Sequence, residues 1–399
     1  MQNPIAFLFK PQSIHFRNEL IVKGPSRPFF ISLAMLLSCS FLATFPANGQ
    51  NKAVFISSAN AGKKAALRKK CEHLKPRIES ILKHYFEQKE NSQARSPWGI
   101  MHAMVAFGPY AEMYADGKLV KDVDWLCQNG KCRSWQLMKL ENGKLATING
   151  PGRQGHDGQL LAILAQSLIP ESKKLAVQGK EFTIKDLVKY EMDTCKPGTE
   201  LTFKLIGLSH YIDSDKKWKS RDGQLWSLER LVQEELRQPV NGAACGGTHR
   251  LMGFSYSLLM RKLQKKKITG HWKRADEFIS DFRNYALSMQ NHDGSFSTEW
   301  FKRRQARLDP QRRVQTTGHI LEWLVFSATD EELANPKLIK AVEYLSKLMW
   351  SQRTTKWEVG PKGHAVRALR LFYERVLVEP GPQVAKKNES DSDKDDAER

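Results

Sequence analysis

The stretch CGGTHRLMGFSYSLLM, Cys245 to Met260, is one of four that open on glycine and histidine and then run into an apolar helix. The others are GRQGHDGQLLAILAQSLI from Gly152, TTGHILEWLVFSA from Thr316 and GPKGHAVRALRLFYERV from Gly360. SPWGIMHAMVAFGPYAEMY from Ser96 is a looser fifth, and GTELTFKLIGLSHYI from Gly198 a sixth with its histidine at the far end. Apolar side chains cover most of the circumference of each, which predicts helices buried on all sides. Between them stand segments with one apolar stripe and a Lys/Glu/Arg face: Arg77 to Lys89, Thr183 to Asp193, Leu225 to Gln238, Lys273 to Gln290 and Pro336 to Ser351. These read as surface helices. Similar units at irregular spacing indicate one repeat with variable insertions. Alternating buried and surface helices fit two concentric rings, the inner helices pointing one way and their Gly-His starts meeting at one end. The surface helix before the second inner one is missing. Asn129-Gly130 and Asn142-Gly143 predict short hairpins there, over about residues 118–150.

Outside this body the ends differ in kind. Phe29 to Phe45 is a long uncharged apolar run preceded by Lys10, Arg17, Lys23 and Arg27, the layout of an export signal. Ala47-Asn48-Gly49 offers small residues for cleavage before Gln50; an uncleaved membrane anchor is the alternative, and a lipoprotein box at Leu36 to Cys39 ranks below both. Residues 1–49 are thus a signal or anchor, 50–64 a linker, 65–378 the helical domain and 379–399 an acidic tail, expected to be disordered because it has no apolar surface to bury. Lys and Arg number 63 against 43 Asp and Glu, for a net charge of +20. Such an excess points to an anionic partner. Nucleic acid is not expected, because export separates the chain from it and no aromatics interleave with the basic runs Lys265 to Lys267 and Lys302 to Arg304. An oxidising compartment favours a disulfide between Cys127 and Cys132 across the Asn-Gly turn.

FRNYALSMQNHDGSFSTEWF (Phe282 to Phe301), continuing through RRVQTTGHILEWL, resembles the glutamine-and-aromatic repeat of the α/α-toroid superfamily of terpenoid cyclases and protein prenyltransferase β-subunits, here at Gln290, Gly294 and Phe296. YLSKLMWSQRTTKWEVGPKGHAVRAL is a weaker copy with Gln352, Trp357 and Gly360, and Asp222 to Trp226 a fragment of a third. The resemblance implies an all-α toroid of about six inner and five to six outer helices. It does not carry over an activity. The acidic DxDD proton donor of squalene cyclases is missing from the body, and Asp193-Thr194-Cys195 matches the prenyltransferase zinc motif only in letters. Cys195, Cys245 and His249 imitate the two-Cys, one-His zinc set of the lanthionine cyclases without their local motifs. Cys195 and Cys245 are equally open to a disulfide or to remaining unpaired.

Rings of this kind would bring the Gly-His starts to one cavity mouth. The expected catalytic residues are His156, His249, His319, His364 and Asp157, by acid/base chemistry. The expected ligand-binding residues are Trp98, His102, Arg153, Arg250, Glu322, Trp357 and Lys362, suited to an anionic or carbohydrate-like ligand. No organic cofactor is called for, zinc is the metal the Cys/His set would take, and a monomer is expected, with a membrane tether through the N-terminal segment if that is retained. Equally, a histidine after each glycine is a packing device that locks neighbouring repeats. Two rival readings are a polysaccharide lyase or glycoside hydrolase on a six-hairpin barrel, which would use Asp157, Glu299 and Glu322, and a non-catalytic protein-binding scaffold with its cavity plugged by Trp98, Trp323 and Trp350.

Overall fold

The computed structural model describes residues 61–379, so the apolar run, its cleavage site and nearly all of the acidic tail lie outside the described residues. In chain order come α1 (Ala61–Cys71), α2 (Lys75–Glu87), β1 (Glu90–Asn91), α3 (Pro97–Phe107), β2 (Glu112–Ala115), β3 (Lys118–Lys121), α4 (Asp122–Cys127), β4 (Met138–Glu141) and β5 (Lys144–Thr147). Then follow α5 (Gln159–Gln166), β6 (Lys174–Val177), β7 (Lys180–Thr183), α6 (Ile184–Asp193), α7 (Thr202–Tyr211), β8 (Lys217–Lys219), β9 (Leu225–Ser227) and α8 (Leu228–Leu236). The chain continues through α9 (Thr248–Leu263), α10 (Gly270–Ser288), α11 (Pro310–Ser327), α12 (Asp330–Leu333), α13 (Pro336–Ser351) and α14 (Val359–Phe372). The described residues are predominantly helical with small sheets.

The apolar helices find one another in sequence order. α3 packs on α5, α5 on α7, α7 on α9, α9 on α11, α11 on α14, and α14 returns to α3, so the contacts close a cycle. Glycines let the neighbours approach. A Cβ on Gly207 would lie 2.7 Å from Leu161, and one on Gly363 would lie 2.5 Å from the His102 carbonyl oxygen. The striped helices flank this cycle: α6 lies on α7, α8 on α7 and α10, α10 on α9, and α13 on α11 and α2. Their stripes supply the second layer of the core, as Leu187, Leu231, Ile279 and Leu345 show, all 2% exposed or less.

Four hairpins are present among the described residues where one insertion was expected. β2–β3, β6–β7 and β8–β9 each lead straight into a flanking helix, and β4–β5 fills the connection to α5. The turns Asp116-Gly117 and Gln178-Gly179 adopt positive φ at both residues, which matches the right-handed strand twist. Leu225 and Trp226 therefore pair in a strand instead of opening a helix, and Asp222 to Trp226 is a hairpin in place of a helix-linking repeat. Ser227 then starts α8, its Oγ accepting from the Arg230 N–H at 3.1 Å.

The Asn129-Gly130 pair does a different job from the one expected. Asn129 has φ +53°, and the Gly130 N–H donates to the Trp125 carbonyl at 2.9 Å, closing the C-terminus of α4. Without a hairpin to face them together, Cys127 and Cys132 stand as two buried free thiols.

Candidate functional site

Inside the cycle five imidazoles come together. Ring centroids are 5.8 Å apart for His156 and His249, 5.7 Å for His249 and His319, 3.8 Å for His319 and His364, and 5.5 Å for His364 and His102. Phe203 packs against His156 and His249, and the Trp98 ring lies 4.0 Å from His102. Only His249 sits at a helix start. His102, His319 and His364 lie well inside α3, α11 and α14, because α11 begins at Pro310 and not at the Thr316 repeat. Free N-terminal amides thus adjoin one imidazole of the cluster and not the ring of them that the sequence pattern suggested.

Each ring is held by a named partner. His102 Nδ1 bonds the Trp98 carbonyl and His319 Nδ1 the Gln315 carbonyl, both at 2.7 Å. A carbonyl only accepts, so both Nδ1 atoms carry the proton. Burial, with neighbouring His364, holds His102 down at about 3 and His319 well below the usual histidine range, so their Nε2 atoms are bare lone pairs at neutral pH. His364 Nδ1 shares a 2.5 Å bond with Glu322, which also pairs with Arg367 at 3.0 Å; burial and then Arg367 hold His364 at about 3. His156 Nδ1 lies 2.6 Å from Glu200. Both nitrogens of His249 are buried without any hydrogen-bond partner.

Cys245 completes the group. Its sulfur and one nitrogen each from His249 and His319 lie within 4.8 Å of one another. The backbone works to put it there: Cys245, Gly246 and Gly247 all have positive φ (49°, 65° and 85°) directly before α9. A Cβ on Gly246 would lie 2.3 Å from the Trp300 ring, and one on Gly247 2.4 Å from the Val240 carbonyl, so both must be glycine. A cysteine in the left-handed region is strained, and strain of this sort concentrates at functional positions. Burial pushes the Cys245 thiol up to about 12, so on its own it stays protonated at neutral pH.

Two spaces meet at this group. The interior one, among His102, His249, His319, His364, Glu322 and Arg367, offers about 30 Å³, room for one or two waters and no sugar ring. The other opens to solvent, measures about 320 Å³, and is lined by Cys245, Gly246, Glu299, Trp300, Lys302 and Arg312, among others. Trp300 lines the open pocket and also touches the imidazole cluster, its ring edge-on to His319 at 5.6 Å.

Several expected site residues belong elsewhere. Cys195 donates its thiol to the Glu191 carbonyl and is separate from Cys245, which rules it out of both the proposed bridge and the metal set in this structure; His319 takes its place in the ligand group. Arg250 turns outward to Glu235 at 2.9 Å, Lys362 to Glu90 at 2.8 Å, and the Trp357 indole N–H donates to the Tyr85 hydroxyl at 3.0 Å. Arg153 lies over the Trp135 ring, 5.6 Å from its centroid. Asp157 is exposed and bonded to Asn149, so the acid beside His156 is Glu200 and not its chain neighbour. Asp157, Glu299 and Glu322 each have their own partner, Asn149, Arg307 and Arg367 respectively, and form no facing pair of carboxylates. Of the tryptophans expected as plugs, Trp323 lines the interior space with its N–H on Ser255, while Trp350 stacks under Arg353 on α13. Glu200, Lys302, Arg312 and Arg367 were missed. Arg367 was within reach, since it lies one turn beyond His364 on the same helix face.

Comparison with known families, curated proteins and solved structures finds no match.

Proposed function

We propose that this protein is an exported α/α toroid of the terpenoid-cyclase and prenyltransferase type that holds a zinc ion on Cys245, His249 and His319 and binds an anionic ligand beside it. The closed cycle of six buried helices with flanking striped helices supports the toroid. The observation that carries the metal reading is the convergence of one thiol and two imidazole donors, one imidazole being buried with both nitrogens unpartnered. A buried polar group without a partner costs about 1–3 kcal/mol, and coordination removes that cost. Soft sulfur with neutral imidazole suits zinc, and three protein ligands leave a fourth position open. When bound, such an ion supplies Lewis acidity to a ligand oxygen.

The chain's own residues then have distinct tasks. The Gln315 carbonyl fixes His319 with its Nε2 presented, Glu322 and Arg367 hold His364 against the His319 ring, and the Cys-Gly-Gly turn sets the sulfur. The interior space is too small for a carbohydrate, so the ligand is assigned to the open pocket.

Metal analysis tests this. Protein purified without chelator is expected to carry about one zinc per chain, and Cys245→Ser or His319→Ala about a tenth of that or less. Cobalt substitution should show a thiolate charge-transfer band that Cys245→Ser abolishes. Protein that takes up no zinc or cobalt when supplied with an equivalent of either overturns the metal reading.

A further inference from the structure

We infer that the open pocket at Cys245 is an oxyanion site, taking a small molecule through a carboxylate or phosphate group held by Arg312 and Lys302. This deepens the ligand part of the proposed function and rests on the metal only for the second attachment point. Charge favours it. The lining holds one carboxylate, Glu299, and that is occupied by Arg307. Lys302 and Arg312 make no ion pair among the described residues, so the pocket faces the ligand with two uncompensated cations.

Arg312 is also preorganised. Its Nε–H donates to the Thr298 carbonyl at 2.7 Å, one terminal nitrogen donates to Gln315 Oε1 at 2.8 Å, and the guanidinium lies over the Trp300 ring, 5.2 Å from its centroid. Two of five N–H groups are thereby used to fix the plane, and three remain to grip an oxyanion. The pocket adjoins the N-terminus of the 16-residue α9, whose first turn carries no acidic residue, so the helix dipole adds to the positive potential. Gly242, where an added Cβ would meet no atom within 4 Å, lets a ligand approach the backbone closely. At about 320 Å³ the pocket is near the lower end of small-molecule sites, which suits a single anionic metabolite and not a polymer chain.

Calorimetric titration of the full chain with inorganic phosphate, with succinate and with glucose tests the inference. At least one of the two anions should bind, glucose should not, and the anion preferred tells phosphate-bearing from carboxylate-bearing ligands. Arg312→Gln should weaken the anion by about tenfold or more. Lys302→Gln should weaken it less; Lys302 is exposed, so this variant leaves the buried packing untouched. Cys245→Ser separates the two proposals: with the metal lost, anion binding should weaken but persist through Arg312 and Lys302. Neither anion binding at 10 mM (about the weakest contact a specific site would show), or binding unchanged in both Arg312→Gln and Lys302→Gln, overturns the inference whether or not zinc is found.

Discussion

Asp122 opens α4 with its carboxyl fully buried and neither oxygen hydrogen-bonded. The nearby lysines do not relieve it, because Lys89 and Lys121 pair with Glu112 at 2.9 and 2.6 Å. Burial, and then the charge of Glu90, push the Asp122 carboxyl from 3.8 up to about 8. The folded protein therefore keeps this proton up to about pH 8, while the unfolded chain gives it up near pH 4. Between those values the unfolded state binds fewer protons, so the group's contribution to stability falls as pH rises. At roughly 1.4 kcal/mol for each unit of pH above the unfolded value, the penalty is roughly 2 kcal/mol at pH 5 and roughly 4 kcal/mol at pH 7. Asp122→Asn keeps the side-chain volume and removes the ionisation. Urea unfolding of both proteins should show the variant gaining on the wild type by about 2–3 kcal/mol between pH 5 and pH 7. A difference that stays constant across that range refutes the reasoning.

Other expectations follow from contacts equally specific. Glu191 is buried against Lys204, itself 2% exposed, so Glu191→Ala strands an ammonium in the core and should cost about 3–5 kcal/mol by denaturant titration. Gly363→Ala puts a methyl group 2.5 Å from the His102 carbonyl and should lower stability by about 1–3 kcal/mol through the α14–α3 contact. Gly246→Ala places its Cβ 2.3 Å from Trp300 at φ +65°, so it should displace the Cys245 turn and cut zinc uptake while leaving the far-ultraviolet circular dichroism unchanged.

How much of this was legible depends on the range of the interaction. Periodicity is a property of neighbouring residues, so Pro336–Ser351 appears as expected and Thr183 to Asp193 within a residue. The hairpins at Asp116-Gly117 and Gln178-Gly179 carried an equally local signal, a turn pair followed by lysine and then a helix start, but their strands are too short to show alternation. The Gly-His repeats did identify the five imidazoles that meet. Their basic neighbours went wrong for a geometric reason: helix residues diverge by about 100° per step, so with His249 and His364 turned inward, Arg250, one residue on, and Lys362, two residues back, face Glu235 and Glu90.

The sequence by itself determined the alternation of fully buried and striped helices, the glycines that let buried helices touch, and the histidines they carry. Tertiary structure alone decided the partners. Glu200 reaches His156 across 44 residues and Glu322 reaches His364 across 42, while Cys245 meets His319 in place of Cys195. Those pairings depend on the rotation and axial offset of each helix against its neighbour, quantities set by packing at glycine and alanine contacts and written in no single segment of the chain.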